Sequence, residues 1–477
     1  MELYDWQEAD QERLRAAGYV GLLSVQPGGG KTVAAAWAIR DALRGEAESD
    51  RVVLIIAPQS THYSAWGKTL RRLGESVRVI GRGSKAHKAA LADFEWGVPG
   101  WYVCTPQFFT RAFSESWWPT AVIVDEAHML CGPGTKAQKK LSGYTRRDQD
   151  TLATRAKYRL ALSGTPARNK FERMWGVMRF LWPELSGRGQ VAEMPFSAWK
   201  EHRMDFRFSP FAVSGKEFTH ERYPGKLMGE APCVVQHFRR EGCCEFHPEG
   251  FMSLEKPLEL VREYELTAGQ LRAIRQVREQ GLAWLSEYPL VAELPITQQL
   301  RVRQMVLGEL TVADDRVEFS TGAASPAAGL IEEILESEGD EPVLVLTASK
   351  LFARFLTERL VAGGVSAREL SGDTVKTRDE DVAGFGSEYR VAVAVIDAVG
   401  TGTDGLGASC AVEIWADRSL DRTNNTQAEA RLDRMGQTRR VTRYLLRDSL
   451  GISEMQFTKQ ALASAKLSDS MKGKVYL

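Results

Sequence analysis

The residues Val25-Gln26-Pro27-Gly28-Gly29-Gly30-Lys31-Thr32 follow a short apolar run, VGLLSV at 20–25, and open a stretch of helical spacing from Thr32 to Leu43. Glycines let a backbone curl so that successive N–H groups point inward. The start of the helix adds partial positive charge, so the pattern suits a phosphate group. In such a loop Gly28, Gly29 and Gly30 cradle the phosphate, Lys31 reaches its outer oxygens and the Thr32 hydroxyl holds Mg²⁺. Val25 departs from the small residue usual at the first position, and a glycine-rich turn carrying an incidental Lys-Thr is the alternative. A second cluster, Asp125-Glu126-Ala127-His128, closes the apolar run 121–124 (AVIV). Carboxylates at a strand end are placed where open α/β sheets carry ligands. Asp125 suits a metal held through water, Glu126 suits activation of an attacking water, and His128 suits sensing of the terminal phosphate or coupling to a neighbouring motif. Alone, this tetrapeptide could simply begin a solvated helix.

Both clusters need a rigid sheet behind them. Runs at 20–25, 52–57, 101–104, 121–124 and 158–162 are nearly continuous in apolar residues, as strands buried on both faces are. Helix-like stretches between them predict a doubly wound α/β domain over 1–185. A second set begins with Ser325-Pro326 as cap and first turn of a helix over 327–338, followed by strands at 343–347, 391–396, 411–415 and 441–446. It predicts a second α/β domain over 321–477. Residues 186–320 lack this alternation and read as an insertion and helical connector.

Composition narrows the class. The chain has 477 residues, 43% of them apolar and 26% charged, which is ordinary for a globular protein. No apolar run is long enough to span a bilayer. The acidic N-terminus does not read as a signal peptide. A cytoplasmic protein with no membrane partner is expected. Six cysteines are too few for a disulfide scaffold. The balance of 62 basic against 62 acidic residues neither favours nor excludes nucleic acid. Eight basic residues between Lys136 and Arg159 read equally well as a DNA contact or a solvated loop. Cys233, His237, Cys243, Cys244 and His247 cluster without a recognised zinc spacing, and thiols of a loop or core are the simpler reading.

The loop with GKT, then DEAH, then Leu162-Ser163-Gly164-Thr165-Pro166, resembles the motif order of superfamily 2 helicases. The segments 55–66 (IIAPQSTHYSAW), 162–187 and 427–437 (QAEARLDRMGQ) resemble the Swi/Snf-like DNA-dependent ATPases, in a minimal form of the kind found in phages and bacteria. The resemblance implies two tandem RecA-like P-loop domains with a mixed insertion. It implies ATP and Mg²⁺ as ligands and sequence-independent translocation along duplex DNA. It makes Gln7 the adenine reader. Gln427, Arg431 and Arg434 are spaced to share one helix face, and the resemblance sends the two arginines to the γ-phosphate; a solvated basic face is the alternative. Asp404 would meet the ribose or those arginines. Pro58, Gln59, Thr105, Pro106, Thr347, Gly372 and Thr401 would meet the nucleic-acid backbone. An RNA helicase, or a nucleotide-gated scaffold with little hydrolysis, are the competing functions. The sequence leaves the oligomeric state open, and a monomer is compatible with it.

Overall fold

In the computed structural model, residues 3–454 are described apart from 115, 145–149, 168–169, 184–193, 210–214, 243, 286–287, 293, 314–315, 322–323, 375–376, 400–404 and 453. The chain divides into two compact units, within Met1–Ser253 and Leu254–Leu462.

The first unit is built on strands β1 (Val20–Val25), β2 (Val52–Ile56), β3 (Val77–Val79), β4 (Gly100–Cys104), β5 (Ala121–Asp125) and β6 (Tyr158–Leu162), with the hairpin β7 (Met204–Phe208) and β8 (Lys216–Glu221) and the strand β9 (Val234–His237) following. Its sheet runs β3-β4-β2-β5-β6-β1-β9, and every pairing in it is parallel. Strands β2, β5 and β6 are buried along their whole length, which is why they read as unbroken apolar runs. Because all strands point the same way, the residues after β1, β2, β4, β5 and β6 gather at one edge. That edge receives the glycine loop, Pro58-Gln59, Thr105-Pro106, the acidic pair and Ser163-Gly164-Thr165 in turn. Two helices matter for the site: α1 (Asp5–Ala16), capped by Tyr4 and Gln7, and α2 (Lys31–Leu43), entered through Gly30.

The second unit adds β10 (Leu258–Tyr264), the hairpins β11 (Leu282–Leu285) with β12 (Tyr288–Val291) and β13 (Leu310–Ala313) with β14 (Arg316–Phe319), then β15 (Val343–Thr347), β16 (Ala367–Leu370), β17 (Val391–Val395), β18 (Val412–Trp415) and β19 (Thr442–Asp448). The main sheet runs β10-β19-β18-β15-β17-β16, again parallel throughout. Two parallel α/β units are the arrangement expected of tandem RecA-like domains.

The stretch 186–320 is not a body of its own. Its first part supplies β9 to the edge of the first sheet, and its second part supplies β10 to the edge of the second. Among the described residues no helix is long and apolar enough to cross a membrane.

Candidate active site

The glycine loop takes the shape its composition allows. Gly28 and Gly30 have φ of 91° and 72°, a region that side-chain-bearing residues avoid. Gly29 is needed for space, since a Cβ there would lie 2.5 Å from Val25 Cγ1 and 3.0 Å from the Phe251 ring. That contact accounts for Val25: it ends β1, is fully buried, and fills the room Gly29 leaves. The loop's entrance is held by β9, because Gln26 N–H donates to the His237 carbonyl at 3.0 Å and Arg239 N–H donates to Gln26 Oε1 at 2.8 Å. A Cβ on Gly164 would meet Pro27 at 2.9 Å, so the Ser-Gly-Thr turn packs directly on the loop.

The acidic pair faces this loop. Glu126 adopts φ 50°, ψ 53°, a left-handed conformation uncommon for a residue with a side chain and often retained at functional sites. Its Oε1 lies 3.2 Å from Lys31 Nζ. Its Oε2 is 3.3 Å from His128 Nδ1. That same ring nitrogen is hydrogen-bonded to Ser163 Oγ at 3.1 Å, and Thr165 N–H donates to Ser163 Oγ at 3.1 Å. His128 thus lies between the acidic pair and the Ser-Gly-Thr turn, in contact with both. Asp125 is almost wholly buried; its Oδ1 accepts the Glu126 N–H at 3.0 Å and its Oδ2 accepts the Trp66 indole N–H at 3.1 Å. Burial pushes its carboxyl up to about 6, Lys31 draws it partly back, and the Glu126 charge raises it again.

The residues fit a magnesium-bound nucleotide. A glycine cradle that a Cβ on Gly29 or Gly30 would crowd stands beside an ammonium group, with hard oxygen donors at Thr32, after β1, and at Asp125, the end of β5, two strands that both border β6. Gln7 is buried against the cradle: a Cβ on Gly30 would sit 2.7 Å from its Nε2, while its Oε1 accepts the Tyr4 N–H at 3.2 Å.

The other expected residues divide. Gln59 is exposed beyond β2, and Pro58 and Pro106 are buried at their strand ends. The Thr105 hydroxyl accepts the Phe108 N–H as a helix cap. Thr347 is fully buried and donates to Asp417 Oδ1 at 2.7 Å, so its side chain is engaged within the unit. Gly372 lies in open space after β16. Thr401 and Asp404 fall outside the described residues. The shared helix face for Gln427, Arg431 and Arg434 requires correction. Helix α3 (Arg422–Glu429) contains Gln427 but stops short of the arginines. They lie in tight turns, where Arg431 N–H donates to the Ala428 carbonyl and Asp433 N–H to that of Glu429. The Arg431 carbonyl packs on Gly407, where a Cβ would approach it to 2.8 Å, and Gln437 Nε2 donates to the Gly407 carbonyl at 3.1 Å. The arginine turn is therefore fastened to the segment that follows β17. Within Lys136–Arg159, Arg159 is buried and donates to the carbonyls of Leu181, Ala153 and Ala156, and Arg155 caps those of Ser114 and Trp117. Those charges serve the fold. No metal-binding group of His, Cys, Asp and Glu occurs among the described residues; His237 instead pairs with Asp10 at 2.8 Å.

Sequence reasoning missed β9, the Asp10–His237 pair behind the loop, and the Trp66–Asp125 bond. Trp66 stood in a quoted motif, but nothing local indicated its partner.

A family model for the DEAD/DEAH box helicase matches residues 11–174. The chain is 23% identical over 448 residues to the Danio rerio chromodomain-helicase-DNA-binding protein 1-like, covering 90% of this chain and 40% of that protein. It is 28% identical over 138 residues to the Homo sapiens SWI/SNF-related matrix-associated actin-dependent regulator of chromatin subfamily A member 1, covering 28% and 12%. The chain thus spans two fifths or less of the length of these relatives. A solved Sulfolobus solfataricus SWI2/SNF2 ATPase core in complex with dsDNA aligns with a TM-score of 0.41 and 17% identity, covering 100% of this chain and 97% of that one. The first unit thus carries the match to a DEAD/DEAH box helicase domain, and the chain as a whole is similar to relatives of the Swi/Snf-like branch of superfamily 2.

Proposed function

We propose that the chain is an ATP hydrolase that uses Mg²⁺-bound ATP to translocate along duplex DNA without reading its sequence. The observation that carries the chemistry is the Lys31–Glu126 contact of 3.2 Å at the mouth of a glycine cradle. It puts a phosphate-binding cation and a water-activating carboxylate within one hydrogen bond of each other.

Mg²⁺, when bound, neutralises charge on the phosphate oxygens. Thr32 and Asp125 would hold it. The loop N–H groups and Lys31 bind the phosphates, and in doing so Lys31 exchanges its contact with Glu126 for one with phosphate. Glu126 then takes a proton from the attacking water, and His128 relays the state of that carboxylate to Ser163. Gln7 reads the adenine edge as donor and acceptor. Arg431 and Arg434, in this reading, bring permanent positive charge to the γ-phosphate.

Support for DNA comes from the relatives, whose names record DNA binding and chromatin regulation. Gln59 and Gly372, open at strand ends, suit contacts to a backbone that carries no sequence information. The test is steady-state ATP hydrolysis with duplex DNA, single-stranded DNA and RNA at several salt concentrations. Duplex DNA should stimulate most, and stimulation should fade as salt rises. Equal or greater stimulation by RNA would replace the DNA reading, and no hydrolysis with any of them would replace the motor by a scaffold.

A further inference from the structure

The later part of the segment joining β2 to the next helix, beyond Gln59, has no role in the proposed function. Its residues His62–Gly67 wind as a π-helix, an uncommon form found mostly as single turns and often at functional sites. The wider turn changes the direction of the side chains that follow it. It is pinned at its start, where His62 Nε2 lies 3.0 Å from the Ala57 carbonyl oxygen and the Thr61 hydroxyl donates to the Pro58 carbonyl at 2.8 Å. It ends at Gly67, where a Cβ would come within 3.3 Å of the His62 carbonyl. The result is that Trp66, fully buried, directs its indole N–H to Asp125 Oδ2.

A buried indole N–H needs an acceptor, but a backbone carbonyl would serve. Here the acceptor is a carboxylate of the catalytic edge. Each oxygen of Asp125 has its own donor, and the two donors differ in kind. The Glu126 N–H is adjacent in sequence and comes with the backbone. The indole comes from another element and fixes the rotation of the carboxylate plane, a soft torsion when left alone. An ionised carboxylate has about four lone-pair directions, so both oxygens keep capacity for a further partner.

We propose that Trp66 is a positioning residue of the Mg²⁺ site, its indole N–H setting the orientation in which Asp125 meets the metal or the metal's water. The inference rests on the reading of Asp125 as a metal-holding residue. A purely space-filling Trp66 would need only its volume, which separates the two roles experimentally. Groups that orient a metal ligand are typically worth about 10–100-fold in metal affinity.

The test uses the full chain with a non-hydrolysable ATP analogue and follows Mn²⁺ binding by electron paramagnetic resonance. Trp66→Phe removes the donor and some volume. Site-specific incorporation of β-(3-benzothienyl)alanine at position 66 keeps the bicyclic shape and removes only the donor. Both should bind Mn²⁺ about 10–100-fold more weakly. Analogue affinity without metal should stay within about twofold, and the benzothienyl variant should melt as the parent does. Mn²⁺ affinity within about twofold of the parent in the benzothienyl variant, alongside its loss in Asp125→Asn, would overturn the inference and leave the metal site standing. Undiminished Mn²⁺ binding in Asp125→Asn would instead remove Asp125 from the metal site, and the role of Trp66 with it.

Discussion

Each unit buries a carboxylate in its parallel sheet, and the two are partnered in opposite ways. Glu413 lies within β18, directly opposite Arg443 on β19, which in turn lies opposite Glu259 on β10. Arg443 Nε is bonded to Glu413, and Arg443 Nη1 lies 3.0 Å from Glu259 Oε1. The row crosses three strands, and its charges answer one another inside the sheet. Asp125 instead ends β5, with a backbone N–H and an indole N–H as partners and Lys31 near enough to be felt. Burial raises both carboxyls. In mid-strand a charge must be neutralised by its neighbours and becomes part of the fold. At the carboxyl end of a strand it can be left for a ligand to complete. Depth alone therefore does not separate a carboxylate committed to the fold from one left open to a ligand; its place along the strand and its partners do.

That contrast can be broken most severely at the ligand's end. If the second unit's contribution is the arginine turn and not its buried row, Arg431→Ala and Arg434→Ala should each lower the ATP turnover number by about 10³–10⁵. Fluorescent-nucleotide titration should meanwhile show nearly normal binding. Arg443→Met should do the reverse: it strands the buried Glu413 carboxylate and should cost roughly 3–5 kcal/mol in urea unfolding. The surviving folded fraction should hydrolyse ATP normally.

The Asp125 carboxyl gives a smaller, pH-dependent effect. Its folded value is raised from 3.8 to about 6, so the folded nucleotide-free chain binds a proton more readily than the unfolded one. This group's stabilisation is complete below about pH 4 and is lost as pH rises through about 6. Melting curves should show Asp125→Asn gaining on the parent by about 1–3 kcal/mol between pH 4 and 7 and no further above that. An unchanging difference would mean that Asp125 is not desolvated. Smallest is Gln7→Ala, which removes one pairing with the base; competition titrations should show the preference for ATP over GTP falling by about tenfold.

What could be read in advance follows the same division. The glycine loop and the Asp-Glu pair were legible because each is a contiguous run tied to a strand end, so spacing alone places it. Strand β9 was not, since Val234–His237 is four residues long and stands among Gly, Pro and charge. The Trp66–Asp125 bond joins positions 59 apart, and no local pattern encodes such a pair. Arginine spacing was misleading in a specific way: positions 427, 431 and 434 share a face only if the helix continues, and it stops at Glu429. Positive charge between Lys136 and Arg159 leaves DNA contact and solvated loop equally open in the sequence, which does not reveal that Arg159 is spent on three carbonyls.

The claim on which the rest depends is that Glu126 activates water against a triphosphate held by Lys31. Single-turnover hydrolysis of radiolabelled ATP, with duplex DNA present, addresses it directly in the parent and in Glu126→Gln. Glu126→Gln should bind ATP as tightly as the parent but cleave it about 10²–10⁴-fold more slowly. Cleavage at the parental rate would contradict it.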